Sequence, residues 1–208
     1  MAIDLIDTHC HLPAIDQAPL ETILARAKEV GVTRYVCIGA SDGKKSAADA
    51  VSLAETFENI WATVGVHPHD AKTFTDLEGL ESLAAHPKVV AIGETGLDYF
   101  RDWAPRESQM KLFENTIHFA KTVGKPLVIH CRDAAEDTFE TLKRLDAKKV
   151  GGVFHCFAQD ATFAERLEEL NFIVSFPGSI TFKSATALRE TVKAIPLSRI
   201  MLETDAPY

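Results

Sequence analysis

The chain has 208 residues, 46% of them hydrophobic and 25% charged, with a formal net charge of −8. That length and balance suit one globular domain spanning residues 1–208, and α/β barrels of about 200–250 residues run as single domains. The acidic balance argues against a broad basic face for duplex nucleic acid, and no apolar run approaches the roughly 18 residues of a membrane span.

Apolar runs of strand length fall at residues 3–10, 34–39, 60–66, 89–94, 126–131, 151–157, 172–176 and 200–204. Amphipathic stretches lie between them at 20–30, 46–57, 77–85, 106–123, 134–145, 161–170 and 184–194. The spacing is that of βα units. Several runs are nearly continuous in apolar residues, as strands of a parallel sheet buried on both faces must be. The pattern predicts an α/β fold, a closed (β/α)8 TIM barrel, with an open doubly wound sheet as the alternative.

The residues after each run carry the chemistry. The first run ends in I-D-T-H-C-H-L, where strand alternation puts His9 and His11 on one face with Asp7 in phase behind them. Two imidazoles so placed make half of a metal site. The third run leads into G-V-H-P-H with His67 and His69, and the fourth into I-G-E-T-G-L-D-Y with Glu94 and Asp98. The fifth ends V-I-H-C-R, with His130 and Arg132, and the sixth V-F-H-C-F, with His155. The eighth leads into L-E-T-D-A-P-Y, with Glu203 and Asp205. In such a barrel the strand ends build the active site. Of the 8 histidines, only His86 and His118 fall elsewhere, and a solvated or packed role is expected for both.

These segments resemble the TatD family of metal-dependent hydrolases, over the whole chain. The resemblance is carried by D-T-H-C-H-L at 7–12, G-V-H-P-H at 65–69 and I-G-E-T-G-L-D-Y at 92–99. It continues in P-L-V-I-H-C-R at 126–132, G-V-F-H-C-F at 152–157 and L-E-T-D-A-P-Y at 202–208. It implies a divalent-metal phosphodiesterase, usually a deoxyribonuclease acting on DNA ends or short single strands. Related proteins hydrolyse D-aminoacyl-tRNA esters. The implied ligands are His9, His11, Glu94, His130, His155 and Asp205. Glu94 would bridge two ions, His9, His11 and Asp205 would complete one shell, and His130 and His155 the other.

Two ions about 3.5–4 Å apart supply an activated water, neutralised phosphoryl oxygens and a stabilised leaving group. Four imidazoles and two carboxylates suit Zn, Mn, Co or Fe, and Mg remains open because such a site can recruit waters. Asp205 is the candidate for orienting the water and taking its proton, alongside the bridging Glu94. His67 is the candidate for a phosphate contact or a proton to the leaving group. A role in fixing the loop around Pro68 is the alternative. Glu203 and Asp7 read as carboxylates that hold ligating histidines in the right tautomer, or as buried partners of other interior groups. Tyr99, Phe100 and Trp103, interleaved with Arg101 and Arg106, resemble a stacking and phosphate platform for single strands, with packing of the loop onto the barrel rim as the alternative. Arg132 and, more weakly, Lys183 are further phosphate candidates. An ester or amide hydrolase on the same rim and a non-catalytic metal-binding module are the rival readings.

Cys10, Cys37, Cys131 and Cys156 form no C-x-x-C pair and read as free thiols in a reducing compartment. With no basic leader ahead of an apolar segment, a cytoplasmic protein is expected. The family pattern continues beyond the A-P-Y segment into a loop and a C-terminal helix. The barrel is therefore expected to lack its final covering helix, leaving Ile6, Ile200 and Leu202 exposed near the seam of the first and last strands.

Overall fold

The computed structural model describes residues 4–101 and 103–208. Eight strands form one sheet in sequential order, β1 (Leu5–Cys10), β2 (Val32–Cys37), β3 (Ile60–Val64), β4 (Val89–Asp98), β5 (Leu127–Arg132), β6 (Gly152–Phe154), β7 (Phe172–Phe176) and β8 (Ile200–Leu202). Every neighbouring pair is parallel. The returns carry α1 (Leu20–Glu29), α2 (Lys45–Thr56), α3 (Glu81–Ala84), α4 (Arg106–Val123), α5 (Ala135–Arg144), α6 (Ala161–Arg166) and α7 (Thr186–Ala194). Strand order β1 to β8 without reversal gives a nearly closed barrel and sets aside the doubly wound sheet.

The strands are buried on both faces because helices cover the outside and side chains fill the inside. Val64, Ile129 and Phe154 are all shut off from solvent. Outside, α4 sets Leu112, Phe113 and Ile117 against the sheet, each 0–1% exposed, and each such burial is worth about 1.5–3 kcal/mol. Gly124, at φ 68°, ends α4 in the left-handed region. Asp160 starts α6 by accepting the Phe163 amide at 2.8 Å.

Several element boundaries differ from the sequence reading, among them those of β6, which shortens from 151–157 to Gly152–Phe154, and of α3 and β4. The helix predicted over 77–85 contracts to Glu81–Ala84. Ahead of it, the Glu78 and Gly79 amides donate to the Asp76 and Glu81 carboxylates, which hold the chain in turns. Strand β4 extends four residues beyond Glu94, because Gly96, Leu97 and Asp98 pair with His130, Cys131 and Arg132. The register slips between Gly93 and Thr95, and Gly93 and Gly96 take φ values of 142° and 137°. A Cβ on Gly96 would stand 2.0 Å from the His130 carbonyl oxygen, so only glycine lets β4 lie this close to β5.

The seam between β8 and β1 is closed by individual bonds. Thr8 Oγ1 donates to the Leu202 carbonyl at 3.0 Å. Beyond β8, the Asp205 amide donates to the His9 carbonyl at 2.9 Å and the His11 amide to the Ala206 carbonyl at 2.7 Å. Ile6 and Leu202 are exposed at the seam, at 37% and 53%, whereas Ile200 is half-buried against the core. Exposure of all three was expected, and Ile200 departs from it because its side chain reaches the main apolar cluster. The flanking helices are shallowly seated: α1 has no fully buried residue and α7 has only Thr191.

Candidate metal centre

The strand ends bring His9, His11, Glu94, His130, His155 and Asp205 together on one rim. β1 supplies the two alternating imidazoles, and the slip in β4 turns Glu94 inward between them and the imidazoles of the β5 and β6 ends. Asp205, at φ 59°, is tied to β1 through the His9 carbonyl, a conformation aspartate tolerates better than most residues.

Glu94 is 2% exposed and divides its two oxygens between two donor clusters. On one side, Oε2 lies 3.3 Å from His9 Nε2 and 3.7 Å from His11 Nε2. Asp205 Oδ1 stands 3.5 Å from each of those nitrogens, which are 3.3 Å from one another. Four ligands around a tetrahedral ion at about 2.0–2.2 Å would have edges of roughly 3.3–3.6 Å. The donor chemistry and the spacing both fit a divalent cation. On the other side, Oε1 lies 2.7 Å from His155 Nε2, 2.9 Å from His130 Nδ1 and 3.4 Å from His67 Nε2. His155 Nε2 and His130 Nδ1 are 3.4 Å apart. The His9 and His155 rings stack at 3.8 Å and join the two clusters.

Bonds to the far nitrogens set the tautomers. His130 Nε2 faces Asp98 Oδ2 at 3.1 Å, so an N–H points there, and Nδ1 donates to Glu94 Oε1 at 2.9 Å and would turn a lone pair to an ion only on giving up that proton. His67 turns the other nitrogen to the cluster. Its Nδ1 accepts the His69 amide at 3.1 Å, so Nε2 carries the hydrogen that faces Glu94. His11 Nδ1 lies 3.4 Å from Ser41 Oγ. The buried Nδ1 atoms of His9 and His155 have no hydrogen-bond partner among the described residues.

The protonation states follow from burial and mutual charge. Burial alone would raise the Glu94 carboxyl, but His155, His67 and His9 outweigh it and hold it well below its ordinary value. Burial alone would depress His155, yet Glu94 and Glu203 outweigh it and raise it well above the usual range. Burial lowers His9 and takes His67 down to about 4, so His67 is neutral at physiological pH. For Asp205 the upward push of burial is exceeded by the His11 hydrogen bond and the charges of His9 and His155.

The remaining expected residues divide. Glu203 accepts the Cys156 amide at 2.6 Å and bonds Ser175 Oγ, with Oε1 3.7 Å from His155 Nδ1. It lies behind the cluster as a charge partner. Among the described residues Asp7 bonds no imidazole ring. Its oxygens accept the Thr204 hydroxyl and amide at 2.6 and 3.0 Å and the His9 amide at 3.2 Å, so it clamps the seam instead of orienting a ligand. Tyr99, Arg101, Trp103 and Arg106 line a cavity of about 250 Å³ beside Asp98, together with Lys72. Arg132 sits on the Phe100 ring at 3.9 Å and Arg106 on Tyr99 at 4.0 Å. Lys183 is exposed on the loop after β7, and His118 is exposed on α4. His86 lies 3.3 Å from Glu55.

Asp98 carries more than the sequence reading assigned to it. It is 1% exposed and bonded to both His69 and His130. Its signal was available, since Glu94 and Asp98 are four residues apart in one strand and alternation puts them on the same face.

Inward-facing imidazoles and carboxylates on the C-terminal rim of a (β/α)8 barrel define a metal-dependent hydrolase, the class to which the relatives are assigned. The model for TatD related DNases matches residues 6–208, and the chain belongs to that family. The metal-dependent hydrolase YabD of Bacillus subtilis is 43% identical over 207 residues, which cover 98% of this chain and 80% of that protein. The structure of YjjV, a TatD homologue from Escherichia coli K12, superimposes with a TM-score of 0.89 at 32% identity, covering 100% of this chain and 81% of that one. Human TATDN2, a 3'-5' RNA nuclease, is 34% identical over 215 residues, covering 98% of this chain and 28% of that protein. Among the described residues no helix is long and apolar enough to cross a membrane.

Proposed function

We propose that the chain hydrolyses phosphodiester bonds at DNA ends or in short single strands, with two divalent ions sharing Glu94. The observation that carries this reading is the division of one buried carboxylate between two donor clusters, Oε2 toward His9 and His11 and Oε1 toward His130 and His155. Asp205 would join His9 and His11 in holding one of the ions. Zn, Mn and Co suit the donors, and Mg does so with added waters. Bound ions would supply an acidified water and neutralise phosphoryl oxygens.

The chain's own groups supply the rest. Asp205 is 23% exposed at its side chain, against 1–6% for His9, His11 and Glu94, so it is the carboxylate that water reaches. It orients that water and takes its proton. His67 is neutral with its hydrogen on Nε2, which suits a hydrogen bond to a phosphoryl oxygen better than release of a proton to the leaving group. Arg101 and Arg132 contact the backbone phosphates, and Trp103 and Tyr99 stack on unpaired bases. A local cation cluster acts in its own pocket despite the global charge of −8, since screening works over about 8 Å. The nuclease activity named for TATDN2 supports a nucleic-acid substrate, and four free cysteines support a cytoplasmic location.

The test is a panel of single-stranded DNA, single-stranded RNA, aminoacyl-ester and lactone substrates. It is run with metal-stripped protein refilled by Mg, Mn, Zn or Co. Metal-dependent cleavage of DNA strands is expected. Turnover of the ester or lactone alone would overturn the reading.

A further inference from the structure

We propose that Asp98 is a positioning residue that couples occupancy of the metal position at His130 to the seating of the substrate loop after β4. The proposal rests on the metal assignment above and deepens it. One carboxylate serves both structures. Oδ2 accepts from His130 Nε2 at 3.1 Å and from His69 Nε2 at 2.7 Å. Oδ1 accepts the amides of Phe100 and Arg101 at 3.0 and 2.9 Å, the first turn of the loop that carries Arg101 and Trp103.

The backbone of Asp98 is held equally firmly. Gln109 of α4, itself 1% exposed, accepts the Asp98 amide at 2.8 Å and donates to the carbonyls of Asp98 and Ala104, each at 2.9 Å. The carboxylate therefore cannot follow one partner without disturbing the others. On the loop side, the His69 ring meets Trp103 edge to face at 4.4 Å. A connected path runs from Glu94 through His130, Asp98 and His69 to Trp103.

The His69, Asp98 and His130 atoms also lie close enough together to resemble a third ligand set. Hydrogen bonds account for them without an ion. Each carboxylate oxygen already has two N–H donors, and His130 needs its Nε2 hydrogen there to keep Nδ1 free as a ligand. Asparagine at 98 would upset that arrangement. If its NH2 faces His130, the ring hydrogen must move to Nδ1, the atom that has to bind the ion. If its NH2 faces the loop instead, it opposes two backbone amides.

The experiment is a titration of metal-stripped full-length chain with Mn²⁺ or Zn²⁺, following ion stoichiometry and tryptophan emission. Trp61 and Trp103 are the two tryptophans, and Trp103→Phe isolates the signal. In the parent protein, filling one of two ion positions should change Trp103 emission. In Asp98→Asn one ion should bind about 10–100-fold more weakly, the cost typical of a lost partner behind a ligand, with the other within about threefold and the emission change gone. His69→Phe should keep both affinities yet lose the emission change. Three ions bound by the parent, an emission indifferent to metal, or parental affinities in Asp98→Asn would each overturn the proposal. If Asp98→Asn does not fold, the parent and His69→Phe titrations still decide. No nucleic acid is present, so absent nuclease activity with an intact coupled response would defeat the proposed function and leave this inference standing.

Discussion

Replacing Glu94 by glutamine keeps the shape of the side chain and removes one charge from the point where both donor clusters meet. In the parent, Oε1 lies 2.7 Å from His155 and 2.9 Å from His130, while Oε2 lies 3.3 Å from His9. In Glu94→Gln one cluster faces an NH2 group in place of a ligand oxygen, and both lose the negative charge that balances a cation. Leaving a buried charge without its partner costs roughly 3–5 kcal/mol. At about 1.4 kcal/mol per tenfold, each ion should bind roughly 10²- to 10⁴-fold more weakly. Stability of the metal-free chain should fall less, by about 1–3 kcal/mol, since a buried histidine can shed its proton instead of staying unpaired. Titration of metal-stripped protein against a competing chelator gives the affinities, and urea unfolding gives the stability. A folded Glu94→Gln protein that holds two ions within tenfold of the parental Kd would refute the bridging assignment.

Other consequences are equally open to measurement. Asp205→Asn should retain at least one ion while kcat falls about 10²–10⁴-fold, the range for a lost acid–base group, and full turnover would remove its role as base. Arg101→Ala and Trp103→Ala should raise KM for single strands more than they lower kcat, as lost uniform binding does, and an unchanged KM in both returns the loop to packing. His155 and His130 are raised in the metal-free fold and must lose a proton to ligate. Metal binding should therefore release protons and tighten as pH rises above about 6.5, which calorimetry in buffers of different ionisation enthalpy would detect. The attraction of raised His155 for Glu94 is fully present below the ordinary histidine value of 6.5 and lost as pH rises through the folded value. The metal-free Tm should accordingly fall at alkaline pH, and a Tm that rises there would contradict the charge state. Gly96→Ala drives a Cβ to within 2.0 Å of the His130 carbonyl at φ 137°. It should cost roughly 2–5 kcal/mol from strain and overpacking together, and an unchanged urea midpoint would show that β4 can yield.

The barrel and the ligand-type residues were readable along the chain for a definite reason. A parallel strand buried on both faces must be apolar throughout, so 60–66 and 126–131 announce themselves, and polar residues at their ends stand out against that background. Alternation alone set His9 and His11 on one face. What needed the tertiary structure was every property fixed by partners remote in sequence. Asp7 shares the phase of His9, yet its carboxylate is held by Thr204, which lies 197 residues away. His67 and His130 are the same residue type at equivalent strand ends and both carry hydrogen on Nε2, but a backbone amide behind one ring and a carboxylate behind the other turn opposite nitrogens, Nε2 and Nδ1, toward Glu94. Ile200 and Leu202 have the same phase in one strand, and only the depth of the neighbouring core separates half-buried from exposed. Local pattern decides which way a side chain points in its own strand, because backbone geometry enforces it. What that side chain meets is decided by chain folded back from elsewhere, and hydrogen-bond partners, tautomers and charge states follow from that meeting.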